Sequence, residues 1–467
     1  MGAFNVNDTE KYLTRSVEQR VADAFRPINR FIHDQTSGAF LLIVAVVAAM
    51  VWVNSPWKES YQALEEARLG FFAGPFRLEK DLHEWINDGL MVLFFFALGL
   101  EVKREFIAGE LREIRKSAVV ICAAVGGMAV PAIFYVLVNF GESTISGWGV
   151  PMATDTAFAL GVLAFLGDRI SPGVKTFLVA LAIVDDIGAV LVIAFFYTDS
   201  LNLQMLLAGV FTFVVMLLFN FMGVRRPSVY FVSALVLWYC TMMSGIHATV
   251  AGVLAALAIP ARPRLHPQWF AERLRGAAGK LEKLTASGAR ALGSHESHEL
   301  AGRIHRGSEA ITTPLQIWES RLSRPVSLFI VPVFAFFNAG IEVSIESIEA
   351  TLSLPVGLGI LAGLVLGKPI GIFIATWLAT RGGWLRLPER VSMSGIAGLG
   401  LLAGMGFTMS VFVSVLSFGQ SAEALLEAKT AITLATIIAA VAGMYWLSRE
   451  KERACCTPTT SCKSKLQ

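Results

Sequence analysis

Residues 177–198 read FLVALAIVDDIGAVLVIAFFYT, an apolar stretch carrying two adjacent aspartates, Asp185 and Asp186, near its middle. About 20 mostly apolar residues suffice to cross a bilayer as a helix. A charged side chain at the centre of such a helix costs about 2.5–3.5 kcal/mol on insertion scales. The stretch therefore reads as a membrane helix whose paired carboxylates need a reason to be there.

The rest of the chain has the same character. Of its 467 residues 55% are hydrophobic and 16% charged, where a soluble domain carries about 25% charged residues. Phenylalanine outnumbers tyrosine 32 to 7, a balance that suits lipid better than water. A net charge of +3 gives no electrostatic case for nucleic acid as a partner. The length rule yields about twelve segments, at roughly 38–57, 83–102, 117–139, 148–167, 174–197, 203–223, 228–243, 245–260, 326–345, 354–379, 391–418 and 427–447. The expected fold is an all-α integral membrane protein of about 12 transmembrane helices. Segments one to eight occupy 38–260 and segments nine to twelve 326–447, with a polar extension at 1–37, a long basic loop at 261–325 and a tail at 448–467.

Basic residues set the orientation. Lys103, Arg104, Arg112, Arg115 and Lys116 follow segment two, Arg169 and Lys175 follow four, Arg225 and Arg226 follow six, and Arg381, Arg386 and Arg390 follow ten. The connections after three, five and nine hold no Lys or Arg. This alternation places both termini in the cytoplasm, and only the stretch 58–82, with Lys58, Arg68, Arg77 and Lys80 on the outer side, runs against it. The N-terminal region has no short apolar run before small residues, so no cleavable signal is expected. In the long loop, Phe270, Leu274, Ala278, Leu281 and Leu284 fall at helical spacing, which reads equally as a helix on the membrane surface or as a solvated linker. His295, His298 and His305 could share a helix face as metal ligands, but nearby Cys or carboxylate ligands are not arranged to help, and a metal site is set aside. Cys122 and Cys240 read as small core residues, and Cys455, Cys456 and Cys462 as reduced thiols in the tail.

Charges inside the membrane carry the functional reading. Asp155 lies in GVPMATDTAFALG of segment four, Lys368 interrupts LAGLVLGKPIGIF of segment ten, Asp88 lies near the start of segment two, and His247 opens segment eight. One Asp–Lys pair would be a helix-packing bridge, but a vicinal pair plus a third carboxylate exceeds what one lysine neutralises. Burial disfavours the charged form of a carboxyl and like-charged neighbours disfavour it further. Carboxylate oxygens also suit hard cations. Such a site binds either a proton or a hard cation, and competition between them with alternating exposure is antiport. Segment four has Pro151 before Thr154-Asp155-Thr156, and segment eleven reads GIAGLGLLAGMGFTMS. Breaks at matching places point to inverted repeats, here segments 3–5 and 10–12, with four and eleven as discontinuous crossing helices. Asp155 would balance the positive amino ends left by the breaks, and Lys368 the negative carboxyl ends.

The runs INDGLMVLFFFALGLEVKRE (86–105), ATDTAFALGVLAFLG (153–167), FLVALAIVDDIGAVLVIAFFYT (177–198), SGIHATVAGV (244–253), PVFAFFNAG (332–340) and GKPIGI (367–372) together resemble the NhaA-type bacterial sodium/proton antiporters. The resemblance covers roughly 38–260 and 326–447. It implies electrogenic exchange of cytoplasmic Na⁺ or Li⁺ for external protons across a bacterial inner membrane, regulated by pH and needing no cofactor. It implies that Na⁺ binds among Asp186, Asp185 and Asp155, with Asp186 foremost, that Thr154 lines the unwound crossing, and that Lys368 pairs with a carboxylate such as Asp185. It further implies that Asp88, Glu101, Arg104, Glu105, His247 and Glu319 belong to an ion-access funnel and the pH response. The stretch 58–82 resembles the family's external β-hairpin, which implies a homodimer in the lipid bilayer. The extension, the loop 261–325 and the run LQIWESRLSRPVSLF depart from the family pattern. Two rival readings fit less well. An intramembrane aspartyl protease needs one aspartate on each of two helices, one of them in a Gly-x-Gly-Asp run, and a proton-coupled carrier of organic anions needs a basic centre.

Overall fold

The computed structural model describes residues 36–73, 76–167, 170–198, 201–263, 312–342, 344–382 and 391–456, with scattered positions in 269–304 and at 385, 387 and 388. The readings of 1–35, of His295, His298 and His305, and of Cys462 lie outside the described residues.

Among the described residues the protein is all-α apart from one hairpin. Helix α1 (Thr36–Val53) is followed by α2 (Lys58–Glu65), bent away from it by 117°. Strands β1 (Arg68–Ala73) and β2 (Phe76–Asp81) pair antiparallel, with Arg68 opposite Asp81. Then come α3 (Leu82–Ala108), α4 (Ile114–Val138), a 3-10 helix at Ser143–Met152, α5 (Thr156–Leu166), α6 (Pro172–Phe196), α7 (Leu203–Phe221), α8 (Pro227–Met243) and α9 (Ala248–Ala258). The second part holds α10 (Pro314–Asn338), α11 (Ile345–Ser353), α12 (Pro355–Arg381), α13 (Met393–Ala403), α14 (Phe407–Phe418) and α15 (Ala422–Cys456). Among the described residues eight helices are long and apolar enough to cross a membrane, or ten if each bent pair is one span. The chain is thus a multi-pass membrane protein. Segments seven and eight fall on α8 and α9, which are apolar but shorter than these eight helices.

The helix carrying segment nine begins at Pro314, inside the stretch 261–325 read from sequence as loop. Its first turns, PLQIWESRLSRP, are too polar for a rule based on apolar length. A capping box starts them instead: the Thr313 hydroxyl accepts from the Gln316 amide while Gln316 Oε1 accepts from the Thr313 amide.

Three long helices contain a π turn, at Ile86–Leu90 in α3, Val326–Ile330 in α10 and Ala362–Gly367 in α12. Pro332 and Pro369 follow the second and third closely, and a proline ring that cannot donate and crowds the preceding turn is accommodated by widening the helix there. The third π turn ends immediately before Lys368. Helix α12 lies against α4 through small residues. A Cβ on Gly126 would collide with Ala375 and the carbonyl of Gly371, and one on Gly367 would meet the Pro131 backbone at 2.8 Å. The Glu427 carboxylate of α15 accepts from the Gly357 amide at 2.6 Å and so holds the start of the same helix.

Candidate ion-binding site

Two chain breaks meet in the protein core. Residues 153–155 separate the 3-10 helix from α5, and 404–406 separate α13 from α14, which are bent 48° apart. Ala153 and Asp155 are extended, and Gly406 lies where a Cβ would crowd Ser410 and the Ala153 carbonyl. The Asp155 amide donates to the Met405 carbonyl at 2.7 Å, so the two unwound strands hydrogen-bond to each other where they cross.

The Asp155 carboxylate caps two helices at once. Its Oδ1 accepts from the Phe158 amide of α5 at 3.0 Å. Its Oδ2 accepts from the Thr408 amide at 2.9 Å and from the Thr408 hydroxyl at 2.5 Å, both on α14. Each helix amino end carries roughly half a positive charge, so the two together balance this one carboxylate. Asp155 is 1% exposed.

Asp185 has a different partner. Lys368 Nζ lies 2.8 Å from Asp185 Oδ2 and also donates to the Met152 carbonyl at the end of the 3-10 helix. Lys368 is 1% exposed, so the pair is fully withdrawn from water. The Thr154 hydroxyl sits 2.5 Å from the same Oδ2 and 3.2 Å from the Ala403 carbonyl, the carboxyl end of α13. Asp185 Oδ1 is the one buried side-chain nitrogen or oxygen among the described residues that lacks a hydrogen-bond partner.

Asp186, 5% exposed, forms no ion pair of its own among the described residues, Lys368 being bonded to Asp185. The Thr156 hydroxyl donates to Asp186 Oδ2 over a long 3.3 Å. A buried carboxylate with so little support is costly as an anion, and it escapes that cost by holding a proton or a cation. The site thus contains three carboxylates and one ammonium, with Asp155 offset by helix ends, Asp185 by Lys368, and Asp186 by neither.

The remaining sequence candidates fall into separate places. Glu101, Arg104, Glu105 and Glu319 gather at the far end of α3: Arg104 pairs with Glu105 at 2.9 Å, with Glu101 at 3.9 Å and with Glu319 of α10. Glu101 lies within electrostatic reach of Asp186. Asp88 does not join this group. It sits in the first π turn, about 20 Å back along the same helix at 1.5 Å per residue, where it pairs with Lys80 of β2. His247 immediately precedes α9, and its ring meets Phe412 edge-on at 6.5 Å.

Sequence reasoning assigned no site role to Thr408 and Thr156, whose hydroxyls, like that of Thr154, reach the carboxylates. The signal was present: each lies in the first turn of a helix that follows a break, where a side-chain hydroxyl is well placed near free backbone groups. It also passed over Phe412, which packs against Phe95, Phe334 and His247 and so joins α14 to α3, α10 and the His247 turn.

Known proteins resemble this chain over nearly its whole length. The family described as Na+/H+ antiporter 1 matches residues 29–447. The chain is 43% identical to a Na(+)/H(+) antiporter NhaA 1 from Saccharophagus degradans, over 93% of this chain and 95% of that protein. It is 45% identical to a Na(+)/H(+) antiporter NhaA from Oleidesulfovibrio alaskensis, over 92% and 95%. A third relative, the Na(+)/H(+) antiporter NhaA of Sulfurimonas denitrificans, is 41% identical over 90% and 95%.

Proposed function

This chain belongs to the Na+/H+ antiporter 1 family, and we propose that it exchanges cytoplasmic Na⁺ or Li⁺ for external protons across a bacterial inner membrane. The observation that carries the reading is the imbalance at the crossing: Asp186 is buried beside Asp185 with no cation of its own, while Lys368 bonds Asp185. Na⁺ and protons compete for this pair. Asp186 is the main ligand, Asp185 contributes its unpartnered Oδ1, and Asp155 with Thr154 shapes the crossing. Sodium binding displaces a proton from the pair, and the opposite step follows when the site faces the other side.

The same reading takes α8 and α9 as crossings too, which gives about twelve in all with both termini in the cytoplasm. The triplets α4 to α6 and α12 to α15 are then inverted repeats whose middle members are broken. The Glu101–Arg104–Glu105–Glu319 group lines the cytoplasmic access route and, together with His247, contributes to the pH response. Asp88 belongs to the external side, and the hairpin β1–β2 pairs two copies into a homodimer.

Reconstituted vesicles test the exchange. An inward Na⁺ gradient is expected to drive proton movement outward, with an apparent KM for Na⁺ that falls as pH rises, because fewer protons compete. More than one proton per Na⁺ leaves net charge, and each elementary charge moved is worth about 2.3 kcal/mol per 100 mV. Current recorded in the same vesicles is therefore expected to accompany exchange. A KM independent of pH, or Na⁺ flux without proton flux, would refute the reading. A proton-coupled carrier of another solute on the same fold would show proton flux with that solute and none with Na⁺ or Li⁺.

A further inference from the structure

On the hairpin side, away from the crossing, three side chains close a ring. Asn338 Nδ2 donates to the Phe334 carbonyl at 3.0 Å and to Asn87 Oδ1 at 3.0 Å. His83 Nε2 lies 3.2 Å from Asn338 Oδ1. Asn87 Nδ2 lies 3.4 Å from each of the two nitrogens of the His83 ring. Asn338 is fully buried and Asn87 is 7% exposed.

The polarity of the ring is forced, starting from one group that can only accept. The Phe334 carbonyl requires the Asn338 amide nitrogen on its side, which turns Asn338 Oδ1 toward His83. His83 must then donate from Nε2. The same Asn338 nitrogen donates to Asn87, which turns the Asn87 amide nitrogen toward the imidazole. An N–H group directed at a neutral imidazole finds a lone pair or a π face, and one directed at an imidazolium finds positive charge. The ring therefore closes around the neutral Nε2–H tautomer and opens when the second nitrogen is protonated.

His83 is only half-buried, so a proton from the hairpin side reaches it. The charged groups around it come from each neighbouring element. Asp81 of β2 and Asp88 of the π turn face it, as does Lys429 of α15. Lys80 is bonded to Asp88 and lies 4.0 Å from Glu84, while Glu65 of α2 interacts with Lys429 and Asp81. Helix α10 contributes Asn338 itself. None of these groups belongs to the crossing. The ring ties the π turn that presents Asp88 to the end of α10, so opening it frees two elements of the hairpin-side mouth.

We propose that His83 is a second proton-binding site, on the hairpin side of the membrane, whose protonation opens the His83–Asn87–Asn338 ring and slows exchange. Its effect on rate rests on the function proposed above, whereas the proton site itself does not.

The two parts are tested separately. With ¹⁵N-labelled histidine and asparagine in the full-length protein in lipid discs, His83 (assigned through His83→Gln) is expected to show the Nε2–H tautomer at about pH 8. Between about pH 8 and 5, the range in which histidine changes charge, the Asn338 side-chain amide signal is expected to move with the His83 midpoint. An Asn338 signal indifferent to His83 titration would overturn the site, whatever the vesicles transport. In vesicles with the other side held at one pH, acidifying the hairpin side over that range is expected to slow wild-type exchange at least about fivefold more than it slows His83→Gln. Equal slowing in both would overturn the regulatory role, and His83→Leu, which fills the space without titrating, is expected to match His83→Gln.

Discussion

Asp186→Asn is expected to abolish Na⁺-driven proton movement while leaving the fold intact. Asparagine has the same shape and keeps an acceptor for the Thr156 hydroxyl, which lies 3.3 Å from Asp186 Oδ2 in the native protein. It removes the one carboxylate of the three that neither Lys368 nor a helix end offsets. At an effective dielectric of 20, a charge pair at 4 Å is worth about 4 kcal/mol. Losing it costs Na⁺ affinity about a thousandfold at 1.4 kcal/mol per decade. The proton site disappears with it, so raising Na⁺ does not restore coupling. Equilibrium Na⁺ binding and vesicle exchange, measured beside a thermal unfolding curve, check this. Binding lost at unchanged unfolding temperature is the expected pattern, and normal exchange in Asp186→Asn would displace the site from Asp186.

Asp155→Ala is expected to fail differently, losing stability along with exchange. Three donors, the Phe158 amide and the amide and hydroxyl of Thr408, lose their acceptor at a site buried from bulk solvent. Each orphaned donor costs about 1–3 kcal/mol, and two helix ends lose their balancing charge at about 0.3–1 kcal/mol or more apiece. The summed loss is several kcal/mol. Thr408→Val removes only the hydroxyl contact and leaves the amide bond to Asp155, so its cost is about 1 kcal/mol. In the double variant the two losses are not additive, because Thr408 has nothing to bond once Asp155 is gone. An unfolding series of the four proteins checks this, with additive losses as the contrary result.

Much of this centre can be read from the chain. An apolar helix with an adjacent carboxylate pair, a proline before Thr154-Asp155-Thr156, and a glycine-dense segment eleven together announce a broken-helix crossing. Lys368 stands out because lysine is so costly in a segment such as LAGLVLGKPIGIF. The division of labour among the carboxylates is not legible in this way. Thr408 lies 253 positions from Asp155, and no local periodicity connects the two. Composition puts Asp185 and Asp186 on equal terms; the family resemblance put Asp186 first and Lys368 beside Asp185, and the structure bonds Lys368 to Asp185. The π turns likewise escape a rule that treats a helix as regular, although Pro332 and Pro369 mark two of them. Segment nine starts too late in an apolar-length reading because Pro314–Pro325 is amphipathic, whereas its capping box is plain in TPLQ. Asp88, grouped by resemblance with Glu101 and Arg104, sits at the opposite end of α3 because the chain between them is one continuous helix.

The mechanism we propose has at its core a competition between a proton and a sodium ion at Asp185 and Asp186, and calorimetry of Na⁺ binding to the purified protein measures it without transport. Titrations repeated in buffers of different ionisation enthalpy give the protons released per Na⁺ bound. Release of protons is expected, with Na⁺ affinity weakening by about tenfold per pH unit for each proton displaced as the solution is acidified, and with both effects absent in Asp186→Asn. Sodium binding that releases no proton and keeps the same affinity across that range would contradict the mechanism.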